Sequence, residues 1–223
     1  MSNLITSWSY SRYACYEECP LKAKLKFIDK LKEPSAPAME RGIRIHKLAE
    51  DFTKGLLKKL PDELKLFAAQ LKELKKSNPM VEETWAFRRD WSQTVYNDWN
   101  GCWLRIKTDA ACIDGDTLYV IDHKTGKKRE GYHTQLSLYA LGAFLMFPQI
   151  KKVNTQLWFL DQGEDEVAEF TSEQTKGLQK DWERRIQSML NDTRFAPKPS
   201  HACRWCPFSK TSTVEGCGGR CKF

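Results

Sequence analysis

The sequence predicts an α/β (α+β) fold in which helices flank a central mixed sheet, and three patterns predict it. Apolar residues recur at helical spacing through the first third of the chain. In the middle the period changes to two, and Val, Ile, Thr, Tyr and Trp become frequent, as suits a half-buried pleated strand. A helix, a strand and a further helix then follow.

From Ser9 to Leu31, the residues Tyr10, Tyr13, Ala14, Leu21, Leu25 and Phe27 fall at helical spacing. Pro20 interrupts them, and proline suits a first helical turn better than a helix middle. Two short helical pieces joined at Cys19-Pro20 are therefore expected. A Pro-rich stretch, Pro34 to Pro37, separates these from a second helix, Met39 to about Lys59. On it Gly42, His46 and Glu50 are four apart and share one face. A third helical pattern, Asp62 to Lys76, ends before Asn78-Pro79. Val81 to Arg89 and Gly101 to Lys124 alternate as strands, with the hairpin signal Asp114-Gly115 inside the second stretch. After a basic loop, Thr125 to Tyr132, come a helix from about His133 to Phe147, a strand from Lys152 to Leu160 and a helix from about Ser172 to Leu190. The composition divides the chain into residues 1–191 and a Cys-rich, metal-binding appendage, 192–223, packing on the same domain.

At 223 residues, 41% hydrophobic and 29% charged, the chain can bury one substantial core. Its longest nearly apolar run, Tyr139 to Pro148, is half of the roughly 20 residues a bilayer needs, so no membrane helix and no membrane partner are expected. The first residues lack a basic segment followed by an apolar block, which predicts a cytoplasmic protein, in the host's cytoplasm if the chain is viral. Thirty-six Lys and Arg against 29 Asp and Glu give +7, a balance that suits an anionic partner. In a reducing compartment the eight cysteines point to metal binding, catalysis or packing rather than disulfides.

The informative stretch is Asp109 to Lys124. With Asp114 and Gly115 as hairpin loop residues, Ile113 pairs with Asp116 and the ladder sets Asp109 opposite Val120. Strand alternation then puts Asp122 and Lys124 on the face of Val120 and Asp109. Asp109 and Asp122 lie diagonally, with Cβ atoms within roughly 7 Å, close enough to share a small divalent cation. A three-residue loop without a bulge would turn Asp109 to the other face. These residues also read as solvated charges on an exposed sheet, but the apolar run Leu118 to Ile121 before them describes a buried strand that ends in a cleft. Metal chemistry on phosphate uses such a set: hard oxygen ligands, and an ammonium to orient attacking water or neutralise developing charge.

Asp109, the triplet Asp122-His123-Lys124 continuing as Thr125-Gly126, and Gln135 with Tyr139 resemble the PD-(D/E)XK nuclease superfamily, in its RecB-like and CRISPR-adaptation exonuclease branch. Gly42-Ile43-Arg44-Ile45-His46 resembles that branch's early helix, and Ser9-Tyr10-Ser11 leading to Cys19-Pro20 resembles its opening. The resemblance runs in the family's order from about residue 7 to 221. It implies a restriction-endonuclease-like core and a metal-dependent nuclease, by analogy an exonuclease, that hydrolyses DNA in repair or recombination. The substrate would be single- or double-stranded DNA, with a helicase or recombination protein as a further partner. It also implies that His46, Asp109, Asp122 and the carbonyl of His123 hold Mg²⁺ or Mn²⁺, that Lys124 positions the water, and that Gln135 and Tyr139 contact the backbone or tune the site. Glu82 or Glu83 would assist. One departure is Ile106, where many relatives have glycine. The basic cluster Lys127-Lys128-Arg129 is the nucleic-acid-binding candidate, with a solvated loop as its plain alternative.

Cys203-Arg204-Trp205-Cys206 is a CxxC knuckle, and Cys217 and Cys221 follow it. The resemblance implies a [4Fe-4S] cluster held by Cys19, Cys203, Cys206 and either Cys217 or Cys221. The four C-terminal cysteines alone would instead make a Cys₄ zinc site. Cys15 is a reserve ligand, and Cys102 and Cys112 read as small buried hydrophobes. The rival function is a catalytically silent or partner-dependent nucleic-acid-binding module carrying zinc.

Overall fold

The computed structural model describes residues 5–126, 128 and 131–223. They form two compact units: Met1–Ala36 together with Glu183–Phe223, and Pro37–Trp182. In the first unit, Ser9 caps α1 (Tyr10–Glu18) by accepting the Arg12 amide. Pro20 then occupies the first position of α2 (Pro20–Ala23), where its missing N–H is harmless, and a π-helical turn, Lys24–Ile28, follows. Leu25, Phe208 and Cys217 form a small core with Leu21, Leu31 and Val214. The Cys-rich tail therefore packs on the N-terminal helices of its own unit.

The second unit opens with α3 (Pro37–Thr53), a 3₁₀ turn, Asp62–Phe67, and α4 (Ala68–Lys76). Among the described residues eight strands follow. They are β1 (Met80–Val81), β2 (Thr84–Phe87), β3 (Gln93–Thr94), β4 (Leu104–Lys107), β5 (Ala110–Asp114), β6 (Thr117–Lys124), β7 (Lys152–Phe159) and β8 (Glu164–Thr171). The helix α5 (Tyr132–Met146) links β6 to β7, and α6 (Thr175–Asn191) begins in this unit. The main sheet has the order β1-β5-β6-β7-β8, antiparallel except where α5 carries the chain from β6 to a parallel β7. A smaller antiparallel sheet has the order β3-β2-β4. The fold is thus the expected mixed sheet flanked by helices.

Core packing follows from strand alternation. On one face Ile121, Trp158 and Ala110 meet Ile45, Ala49 and Phe52 of α3 and Leu71 and Leu74 of α4. On the other face α5 packs along β6, β7 and β8, and it is buried on nearly all sides. Trp182 of α6 is fully buried and donates to the Ser137 hydroxyl at 3.2 Å.

The hairpin register differs from the sequence reading by two residues. Asp114 pairs with Thr117 and Ala110 with Ile121, so the loop residues are Gly115 and Asp116. Gly115 takes φ +60°, a conformation that glycine adopts without a Cβ penalty. One step beyond Ala110, Asp109 falls across from Asp122 rather than Val120. Because two residues is one full pleat, the slip leaves the facing of the paired residues intact, but Asp109 lies outside the ladder and its carboxylate joins His46 and His123 rather than the face of Asp122 and Lys124.

Candidate active site

The end of β6 divides its side chains between two helices. Asp122 and Lys124 face α5, while His123 points to the α3 face. On α5, Gln135 and Tyr139 are one turn apart, both buried, and both turn to Asp122. The Tyr139 hydroxyl donates to Asp122 Oδ1, and Gln135 Nε2 lies 2.7 Å from the Tyr139 hydroxyl and 3.5 Å from Asp122 Oδ1. Burial and the adjacent Asp122 hold the Tyr139 phenol well above its ordinary range, so it stays a donor. Lys124 Nζ lies 2.5 Å from Asp122 Oδ2 as an ion pair, although no donor is aligned on that buried oxygen.

Asp109 sits at a bend, outside the ladder, between β4 and β5. Its carboxylate is therefore free of strand alternation and reaches the α3 side. Asp109 Oδ2 accepts the His123 backbone N–H at 2.6 Å, and Oδ1 is 3.3 Å from His46 Nδ1. Among the described residues, His46, Asp109 and His123 form the one group whose ligand atoms all lie within 4.8 Å of one another. Asp122 flanks this group without joining it. The structure thus brings together the expected His46 and Asp109, adds the imidazole of His123, and ties Asp122 to Lys124, Gln135 and Tyr139.

The electrostatics follow from this packing. Burial alone would raise the Asp109 carboxyl, but the His46 hydrogen bond, the nearby His123 and its amide lower it to about 2. The same hydrogen bond raises His46, against a smaller opposing effect of burial. Burial lowers His123, whose Nε2 has no hydrogen-bond partner. The group of His46, Asp109 and His123, with a buried imidazole nitrogen of His123 left unpartnered, offers donors that would fit a divalent cation.

Two further residues support the site: Glu82, one of the two acids expected to assist, and Asp161, which the sequence reading did not single out. Glu82 interrupts the strand expected from Val81 to Arg89 by adopting φ +62°, and its amide donates to the Asp109 carbonyl at 3.0 Å. Its carboxylate pairs with Lys107, which brings Glu82 rather than Glu83 against the Asp109 backbone. Asp161 fastens two site-bearing segments. It takes a two-pronged bond from Arg41 of α3 at 2.6 and 2.8 Å and accepts the Gly126 amide at 2.6 Å. Asp161 carries no motif signal, because its partners are 120 and 35 residues away.

The basic loop is placed only in part. Lys127 and Arg129 lie outside the described residues. Lys128 is exposed, stands 3.6 Å from Glu166 and lies over the Phe159 ring at 5.4 Å, so its charge is already matched within the unit.

In the other unit, Cys19, Cys203, Cys206 and Cys221 line one cavity. Amides of Lys198 and Ser200 donate to the sulfurs of Cys19 and Cys203, each at 3.4 Å. Cys217 does not line it: it is 2% exposed and donates to the Lys32 carbonyl at 3.0 Å. Cys15 is also absent from the cavity wall, and burial raises its thiol to about 11. Cys102 is buried as expected, whereas Cys112 is half-buried against the α3–α4 core.

Residues 7–211 match the PD-(D/E)XK nuclease superfamily. No curated protein matches the chain by sequence. Similar solved structures include that of SSO0001, with 16% identity, a TM-score of 0.47 and coverage of 94% of this chain and 87% of that one. Another is a candidate exonuclease from Eubacterium rectale, with 11% identity, a TM-score of 0.49 and coverage of 90% of this chain and 87% of that one. With the match running from residue 7 to residue 211 of 223, this chain belongs to the PD-(D/E)XK nuclease superfamily.

Proposed function

We propose that the chain is a metal-dependent nuclease that hydrolyses DNA phosphodiester bonds and works as an exonuclease. The observation that carries this reading is the convergence of His46, Asp109 and His123 within 4.8 Å, beside the Asp122–Lys124 pair. His46, Asp109, Asp122 and His123 would hold Mg²⁺ or Mn²⁺. When bound, such an ion supplies positive charge against phosphodiester oxygens and makes a nearby water more acidic. The chain's own groups do the rest. Lys124, on the open side of Asp122, orients the water or meets charge developing on the phosphate. Tyr139 and Gln135 fix the Asp122 carboxylate from behind, so their role is to tune and position it. The choice of DNA and of exonucleolytic action rests on the resemblance to the RecB-like branch, and a role in repair or recombination rests on the same analogy.

The cysteine cavity supports a [4Fe-4S] cluster held by Cys19, Cys203, Cys206 and Cys221. A tetrahedral zinc site with bonds of about 2.3 Å needs sulfurs less than about 4 Å apart. Among the described residues no three cysteine sulfurs lie within 4.8 Å of one another, which suits the larger cluster. The inward bond of Cys217 also argues against a Cys₄ zinc site built from the tail alone.

The test is digestion of end-labelled single- and double-stranded DNA with Mg²⁺ or Mn²⁺, comparing wild type with Lys124→Ala and Asp109→Asn. The expected result is cleavage from ends by wild type and a loss of about 100-fold or more in each variant. Equal digestion by all three would show that the named site does not do the chemistry. Binding without cleavage under either metal would favour the silent module.

A further inference from the structure

Trp99 is the most exposed large apolar side chain among the described residues, at 82%. The turn that presents it is tightly fastened. Asp98 accepts from the Thr94 hydroxyl and from the Gly101 amide, each at 2.8 Å, and stands 3.5 Å from Arg88. A Cβ at Gly101 would lie 2.4 Å from the Asp98 carboxylate, so the turn closes this far only with glycine there. The Arg105 guanidinium lies 5.4 Å from the Trp99 ring centroid and 5.7 Å from that of Tyr96, and its Nε donates to the Tyr96 carbonyl at 3.0 Å. The arginine backs one side of the indole and leaves the remainder open to solvent.

Arg105 lies on β4, where Leu104 and Ile106 face inward and Arg105 and Lys107 face outward. The strand then leads directly to Asp109. At about 3.3 Å per residue, Arg105 and Asp109 are roughly 13 Å apart or less. Lys107 bridges this interval: it pairs with Glu82, and both Asp109 and Tyr96 act on its ammonium. An aromatic plate in the turn before β4, two cations on β4 and the acid Asp109 at the bend after it thus follow one another along the chain. A stack of this kind suits a nucleobase and its phosphates, because every base offers a π-face and the backbone offers regular negative charge.

We propose that Trp99, Tyr96, Arg105 and Lys107 form a track for the single-stranded end of a DNA chain. One base stacks on the open part of the Trp99 ring, and Arg105 and Lys107 hold the phosphates leading to Asp109. The proposal rests on the nuclease reading for the identity of its ligand. A base stacked within a duplex has both faces covered, so the track favours unpaired strands, whose bases can turn a face to the indole.

The experiment measures fluorescence anisotropy of a short labelled oligodeoxythymidylate, and of the same oligomer with abasic positions, on the full chain without divalent metal. Cleavage with Mn²⁺ is assayed in parallel. Trp99→Ala is expected to weaken the oligothymidylate complex about tenfold and Trp99→Phe to restore most of the loss. Trp99→Ala should leave binding of the abasic oligomer and of a blunt duplex unchanged. Arg105→Ala should lower the salt slope by about one. Unchanged oligothymidylate binding in Trp99→Ala would overturn the track, whether or not wild type cleaves. Trp99-dependent binding by a wild type that cleaves nothing would keep the track and remove the nuclease reading.

Discussion

Tyr139 on α5 donates its hydroxyl hydrogen to Asp122 at the end of β6, so a helix 17 residues downstream holds the strand's acid in place. The same carboxylate is 2.5 Å from Lys124 through its other oxygen. Its direction is therefore set from two sides.

Tyr139→Phe removes that hydroxyl and little else. Partners of this kind, one bond behind a ligand, typically account for 10–100-fold in metal affinity or activity. The expected outcome is a Mn²⁺ affinity lower by about that factor, read by calorimetric titration, with cleavage falling in parallel. Supplying excess Mn²⁺ should recover part of the rate in Tyr139→Phe but not in Lys124→Ala, since the lysine is not assigned to hold the ion.

The cysteine cavity makes a sharper division. Cys221 lines it and Cys217 does not. Cys221→Ser is expected to remove visible absorbance near 400 nm from the purified chain, together with its iron and acid-labile sulfide. Cys217→Ser should keep the colour and lose stability instead, because it leaves the Lys32 carbonyl with an altered partner in a packed core. Zinc in a colourless protein, lost in both variants, would instead identify a site built from the tail.

Most of the site was legible because its residues are close in sequence or at a fixed period. Asp122 and Lys124 are two apart on a strand, and Gln135 and Tyr139 four apart on a helix, so spacing alone placed each pair on a shared face. Asp109 escaped that logic. It lies at a bend outside the ladder, where alternation no longer fixes a side chain, and its carboxylate meets His46 and the His123 amide instead. The hairpin register was off by two because Gly115 occupies the first loop position rather than the second, which the dipeptide alone cannot tell. β8 was invisible for a different reason. Its sequence, Glu164-Asp165-Glu166-Val167-Ala168-Glu169-Phe170-Thr171, is charged because it is an edge strand, and charge on an edge protects against pairing with other chains.

Gly142 of α5 makes the space that Ile106 of β4 and Trp85 of β2 occupy. A Cβ at Gly142 of α5 would lie 2.4 Å from Ile106 Cδ1 and 3.2 Å from Trp85 Cε3. Gly142→Ala gains up to about 1 kcal/mol of helix propensity but forces overpacking that costs about 1–3 kcal/mol. The net expectation is a loss of about 1 kcal/mol, read as a Tm lower by roughly 2–4 °C. Ile106→Val removes the clashing methyl, so the double variant should be more stable than the sum of the singles by about 1 kcal/mol in a thermal double-mutant cycle. Strict additivity would mean that the contact does not limit the approach of α5 to β4.

In the other unit, Asp192 sets the acid limit of one turn. Its Oδ1 accepts the amides of Arg194 and Phe195 at 2.8 and 2.9 Å, and its Oδ2 lies 2.9 Å from the Tyr16 hydroxyl. Burial raises the carboxyl, but these three donors outweigh it and lower the pKa below the ordinary value. They also hold Phe195 at φ +47°, a conformation a phenylalanine adopts only when its surroundings impose it. Since the folded-state pKa lies below the unfolded one, the stabilisation is complete above the unfolded value of about 3.9 and fades as pH falls through the folded value. Asp192→Asn removes that titration. The variant should be less stable than wild type near neutral pH, and the gap should close as pH falls below about 4, as read from urea midpoints. A gap that stayed constant over that range would show that the carboxylate charge, as distinct from the shape of the turn, contributes nothing.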